Sequence, residues 1–171
     1  MPTVKPCFRL CNSAMDFTDQ YKYLGHIFAH DLRDDADISR QTRLLYARAN
    51  MLLRKFSAAH TTTKIMLFNA FCSPVYKCQL WFNFIKEPFR RIHVAFNNAL
   101  RLLLKMPTWC SASQLFVQHG AITFLAAVRK QQFSLLRSLC SCNNDITQAF
   151  VSCDRFWRSP ILAKWRNDLY V

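Results

Sequence analysis

Gln20-Tyr-Lys-Tyr-Leu-Gly-His-Ile27, followed shortly by Asp34-Asp35-Ala-Asp37-Ile38, is the stretch that decides the fold. Tyr21, Lys22 and Tyr23 alternate as a strand does, Leu24-Gly25 closes it, and the aspartates mark the start of a helix. Carboxylates there meet free amide groups and the positive end of the helix dipole. From that point Ile38, Thr42, Leu45, Ala49, Leu52 and Phe56 recur at helical spacing and share one face. Arg40, Arg43, Arg54 and Lys55 fall opposite, with Arg48 at the edge. One face suits a core and the other an anion.

Upstream, Val4, Phe8 and Leu10 alternate loosely between turn-like residues at 12–13 and 16–19, so residues 1–30 are expected to form a short β-hairpin or two strands. Downstream the expectation is helical. Thr61-Thr62-Thr63 offers an N-cap for a second helix from Lys64 to about Phe84. It should kink near Pro74, and being apolar on almost every side it should occupy the buried centre. Pro88 suits the first turn of a third helix. There Phe89, Ile92, Phe96, Ala99, Leu100 and Leu103 line one face, and Arg90, Arg91, Arg101 and Lys105 the other.

Met106-Pro107-Thr108-Trp109 breaks the chain. Ser111 with Gln114 is a capping-box pattern for a short helix ending at Gly120. A fifth helix runs from about Ile122 to Cys140, with Phe124, Val128, Leu135 and Leu139 inward and Arg129, Lys130 and Arg137 off that stripe. Asn143-Asn144-Asp145 reads as a turn, and two short helices split at Ser159-Pro160 complete the chain. The reading is mainly α, a helical bundle with a small N-terminal β-hairpin. It falls into three stretches: 1–30, 31–110 and a helical 111–171 packed as one unit.

Composition bounds the function. A chain of 171 residues with 51% apolar residues and 15 phenylalanines can bury one core and is too short for two comfortable ones. Two glycines are too few for a sandwich, a barrel or a phosphate-cradling glycine loop. Net charge is +13, and between Ile38 and Asn144 fifteen Lys and Arg face one acid, Glu87. Cations without internal partners imply an external polyanion, nucleic acid before an anionic membrane surface. The most apolar run, residues 65–85, is interrupted by Asn69, Ser73, Pro74, Lys77 and Gln79, so it reads as a core helix and not a membrane span.

Eight cysteines, at 7, 11, 72, 78, 110, 140, 142 and 153, include no Cys-x-x-Cys. Cys140, Cys142, Cys153 and His119 lack zinc-site spacing. With no apolar leader, the expectation is an intracellular chain, nuclear or cytoplasmic, with reduced and mostly buried thiols. The Asp34-Asp35 pair lacks the hairpin setting of a two-metal polymerase site, and helix capping accounts for it better. His26, His30, His60, His93 and His119 complete no catalytic pattern. No small-molecule substrate is indicated. What remains is binding, through the cations and through Tyr46, Tyr76, Trp81 and Trp109 as candidate stacking groups; helical spacing makes most of these core, and Trp109 is the one expected to be exposed.

Several motifs in order carry a family resemblance. They are Tyr21-Lys-Tyr-Leu-Gly-His-Ile27, the aspartates before Ile38, and Tyr46 with Ala49-Asn50 and Arg54-Lys-Phe56. Leu67-Phe68, Phe71-Cys72, Tyr76 and Leu80-Trp81 follow, then Val94-Ala-Phe-Asn97-Asn98, Leu100-Arg101 and Met106-Pro107. This series resembles the reverse transcriptases of non-LTR, LINE-type retrotransposons of the jockey-like group, from just after the palm active site onward. The match is looser beyond about Ser111.

The resemblance implies that Tyr23, Leu24 and Gly25 are a primer-grip motif and that the following helices are a thumb-type bundle. Arg40, Arg43, Arg48, Arg54, Lys55, Arg90, Arg91, Arg101 and Lys105 would then face the phosphates of an RNA–DNA or DNA duplex. Fingers and metal-binding palm aspartates are missing from the sequence. The expectation is therefore a piece of an RNA-directed DNA polymerase, not an enzyme as it stands. It would carry no cofactor of its own, whereas the complete polymerase needs Mg, and its partners would be the duplex and the palm and fingers. The alternative is a non-catalytic helical interaction protein or remnant that no longer binds nucleic acid.

Overall fold

Two small hairpins precede the helices in the computed structural model, which describes residues 8–73, 75 and 77–169. The expectations for Val4, Cys7, Pro74 and Tyr76 lie outside the described residues. β1 (Phe8–Leu10) pairs antiparallel with β2 (Ser13–Met15), and β3 (Gln20–Tyr23) pairs with β4 (His26–Ala29). Both loops have two residues with positive φ: Cys11 and Asn12 at 48° and 64°, Leu24 and Gly25 at 44° and 78°. Such turns match the twist of the strands they join. Leu24-Gly25 therefore does not close the β element as expected. It is the tip of the second hairpin, and His26 begins the returning strand. Cross-strand pairs set Tyr21 opposite Phe28 and Tyr23 opposite His26.

The mainly α character holds. α1 (Asp35–Lys55), α2 (Thr61–Phe71), α3 (Lys86–Leu104), α4 (Ala112–His119), α5 (Phe124–Ser141), α6 (Asp145–Ser152), α7 (Asp154–Trp157) and α8 (Pro160–Leu169) follow in order, with a 3₁₀ turn at Cys78–Leu80 between α2 and α3. Several boundaries have local causes, those of α4 as expected and that of α6 where only a turn was read. Ser111 accepts a hydrogen bond from the Gln114 amide, and Gly120 ends α4 in the left-handed region at φ 60°. Asn144 caps α6 by accepting from the amides of Ile146 and Thr147. Cys153, extended, separates α6 from α7, so three helices stand where two were expected.

The centre of the bundle is α3, not α2. Ile92, Phe96, Ala99, Leu100 and Leu103 are fully buried, against Ile38, Leu45, Ala49 and Leu52 of α1. α2 stops at Phe71 instead of running to Phe84, and only Lys64, Ile65 and Phe68 of it are buried. Met66 and Phe71 point outward. An apolar sequence on every side reported composition, and the short helix can bury only the side that meets α1 and α3. On α1, Asp37 and Gln41 are buried while Phe56 is exposed.

The main cluster extends past residue 110 to include Leu115 and Phe116 of α4 and Phe124 and Val128 of α5. A second, smaller cluster gathers Phe156, Leu162 and Trp165 against Leu135, Leu136 and Leu139. The packing thus changes over along α5, not at the Met106-Pro107 break. The Trp165 indole donates to the Gln79 carbonyl at 2.8 Å and Gln132 to Asp168 at 2.9 Å, which join the second cluster to the first. Among the described residues the cysteines are all free, but only Cys72 and Cys78 are buried; Cys11, Cys140 and Cys153 are exposed. Burial pushes the Cys72 and Cys78 thiols up to about 11 and about 12. No helix among the described residues is long and apolar enough to cross a membrane.

Candidate nucleic-acid interface

The three aspartates at the head of α1 do not cap it. Asp34 holds the N-cap position without a side-chain capping bond. Its Oδ2 instead accepts from the amides of Phe82 and Asn83, both at 2.9 Å, and its own amide donates to the Asn83 carbonyl at 2.9 Å. Asp35 accepts from the Ile85 amide at 2.8 Å. These bonds stitch the start of α1 to the strand-like segment that leads into α3.

Asp37 lies deeper. Its Oδ2 accepts from the Trp81 indole at 3.0 Å and sits 3.2 Å from His26 Nδ1, an ionic contact more than a directed hydrogen bond. Its Oδ1 accepts from Arg40 at 2.7 Å and from the Ile27 amide at 3.3 Å. His26 Nε2 lies 3.6 Å from Asp34. The two carboxylates, Asp34 foremost, raise His26 to about 9 against the opposing effect of burial. Burial would raise Asp37, but contacts from His26, Trp81 and Arg40 outweigh it and hold the carboxyl below its ordinary value.

This suture fixes the orientation of the two main helices. Asp35 meets Ile85 just before α3, while Thr42 and Tyr46 of α1 share a groove with Arg90, Arg91 and Val94 of α3. α1 and α3 therefore run in the same direction, with their positive ends together. Parallel dipoles repel, and Asp34, Asp35, Asp37 and Glu87 at that end offset the repulsion.

The nine expected phosphate contacts separate into distinct groups. Arg40 is bonded to Asp37 and to the Gly25 carbonyl, so it belongs to the suture and not to an outer face. Arg101 donates to the Cys110 carbonyl at 2.9 Å and to Asn98 at 2.8 Å, bracing the loop after α3. Arg48 donates to the Phe71 carbonyl at 3.4 Å, tying α1 to the end of α2. Arg43, Arg54 and Lys55 project outward on α1, as does Lys105, which ends α3 at φ 56°. Arg90 and Arg91 are exposed and share one carboxylate, Glu87, with Nε to Oε distances of 3.1 Å each. Arg90 first, then Arg91, lowers that carboxyl.

The aromatic candidates divide as well. Trp81 is buried in the suture, Tyr46 lines the groove, and Trp109 is 84% exposed. At the hairpin, Tyr23 and Leu24 are exposed and Gly25 is half-buried beneath them. Sequence reasoning missed His26, Asp37, Arg40 and Trp81 as a connected group. Only the Asp37–Arg40 spacing of three hinted at it, because the other partners are brought in by the fold. Among the described residues no group of His, Cys, Asp and Glu side chains is arranged to hold a metal ion. Comparison with protein-family models, curated proteins and solved structures returned no match.

Proposed function

We propose that this chain is a nucleic-acid-holding piece of an RNA-directed DNA polymerase of the non-LTR retrotransposon type, without catalytic activity of its own. It would grip a template–primer duplex along α1 and the α1–α3 groove. The observation that carries this reading is the set of outward cations, Arg43, Arg54, Lys55 and Lys105, which have no acidic partner among the described residues. Arg90 and Arg91 add two more that share a single carboxylate. Tyr23 and Leu24 at the hairpin tip are exposed, as the side chains of a primer-gripping turn have to be, with Gly25 half-buried between them and the Arg40 guanidinium. Palm and fingers, with the aspartates that hold Mg in a complete polymerase, would come from elsewhere.

The test is a salt titration of binding to a labelled RNA–DNA hybrid. The expected result is binding at low salt whose logarithm falls linearly with the logarithm of salt, by about 0.9 per phosphate neutralised as on duplex DNA. A folded chain that does not bind the hybrid at low salt overturns the reading.

One observation favours the alternative of a helical interaction remnant. Phe8, Leu10, Tyr21, Tyr23, Leu24 and Leu32 are all more than half exposed on the hairpins and the turn after them, an apolar surface that invites a protein partner. Sedimentation separates the readings: self-association without hybrid binding supports the remnant, and a monomer that binds hybrid does not.

A further inference from the structure

Glu87 is the sole acid between Ile38 and Asn144, and it pairs with Arg90 and Arg91, two of the residues that line a groove of about 440 Å³ together with Thr42, Tyr46 and Val94. Resting on the nucleic-acid reading above, we propose that Arg90, Arg91 and the Tyr46 hydroxyl form one phosphate-binding subsite, which Glu87 occupies from within the chain until a backbone phosphate displaces it.

The geometry supports an exchange of like for like. Glu87 presents two oxygens, one to each guanidinium, through the Nε edges of Arg90 and Arg91. A phosphodiester carries the same single charge on two unesterified oxygens, so it can accept one N–H from each guanidinium as the carboxylate does. Two positive charges face one negative charge, so the site keeps net attraction for an anion even with Glu87 in place. All three side chains are open to solvent, at 74%, 72% and 46%, so the resident pairs are weak and readily exchanged. Thr42 cannot donate, because its hydroxyl already donates to the Ile38 carbonyl at 2.9 Å. Tyr46 is the neutral donor of the groove wall, and its ring gives the sugar an apolar surface. Glu87 is thus a built-in competitor that lowers affinity for isolated phosphates and leaves the site to a polyanion already held by the other cations.

The test compares wild type with Glu87→Gln and with Asp145→Asn, which makes the same change of charge at the start of α6. Each is titrated with the labelled hybrid after helicity is checked by circular dichroism. Glu87→Gln is expected to tighten binding by about threefold or more, and Asp145→Asn by distinctly less. In an Arg90→Ala/Arg91→Ala background the Glu87→Gln gain should vanish. Equal effects of the two neutral variants, or a gain that persists without the arginines, overturn the proposal. If the wild type does not bind hybrid at all, calorimetry with inorganic tripolyphosphate decides. A gain by Glu87→Gln there supports the subsite while the duplex reading falls, and no binding by either chain overturns both.

Discussion

His26 and Asp37, both almost fully out of solvent, meet at 3.2 Å where the second hairpin lies on the head of α1. Around them Arg40, Trp81 and the Ile27 amide converge on the same carboxylate. This is a charged node inside the protein, and its members come from the hairpin, from α1 and from the segment before α3. Removing one partner from such a group leaves the others buried without compensation.

Asp37→Asn is therefore expected to destabilise the fold by about 3 kcal/mol or more, since His26 and Arg40 lose their common counter-charge. Urea unfolding followed by circular dichroism checks this. A midpoint within experimental scatter of wild type would show that the node is dispensable.

The same node sets a pH dependence with a definite sign. His26 is raised from 6.5 to about 9, so the folded state binds its proton more tightly than the unfolded chain does. The stability it confers is complete below about 6.5 and disappears as pH rises through about 9, amounting to about 3 kcal/mol. Asp37 is lowered from 3.8, so its share is present above that value and is lost as pH falls through its folded pKa. Stability should be greatest between about pH 4 and 6.5. His26→Gln should remove the decline between pH 6.5 and 9, which urea midpoints at successive pH values would reveal. A wild-type curve that stays flat across that interval contradicts the assignment.

The cations differ in what their removal should do. Arg43→Ala/Arg54→Ala/Lys55→Ala should leave stability within about 0.5 kcal/mol while lowering the salt slope of hybrid binding by up to about 0.9 for each phosphate no longer neutralised. Arg40→Ala should instead cost about 3 kcal/mol of stability, and Arg101→Ala about 1–2 kcal/mol through the freed Cys110 loop. Paired denaturation and binding measurements on each variant separate these outcomes. A slope unchanged by the triple substitution would put the duplex on another face of the protein.

The fold was legible in sequence where one element decides its own shape. The cap at Ser111, the left-handed Gly120 and the apolar stripe of α3 all follow from residues close together in the chain. What could not be read depends on partners distant in sequence. The aspartates of α1 look like helix caps because nothing local says that the amides of Phe82, Asn83 and Ile85 will arrive beside them. Arg40 looks like a surface cation by periodicity, yet the hairpin folds over it and the Gly25 carbonyl accepts a hydrogen bond from it. α2 looks like a core helix because composition counts apolar residues without showing how many neighbours the helix will have.

The packing of α2 has its own test. Phe68 is completely buried against Phe96 and Phe116, whereas Met66 is 67% exposed in the same helix. Phe68→Ala should cost about 3–5 kcal/mol and Met66→Ala less than about 0.5 kcal/mol. Comparable urea midpoints for the two variants would return α2 to the centre of the bundle.

Because α1 and α3 run side by side in the same direction, the chain has to travel the whole length of α1 and return before they can touch. The bonds from Asp34 to Phe82 and Asn83 span 48 and 49 residues. During synthesis α1 would emerge with its apolar face bare and wait until α3 had left the ribosome. Non-local closure of this kind slows folding and lengthens the time for which hydrophobic surface is open to misassociation. A nascent chain halted before Leu104 should thus be a chaperone client and protease-sensitive, and acquisition of resistance should track the release of α3.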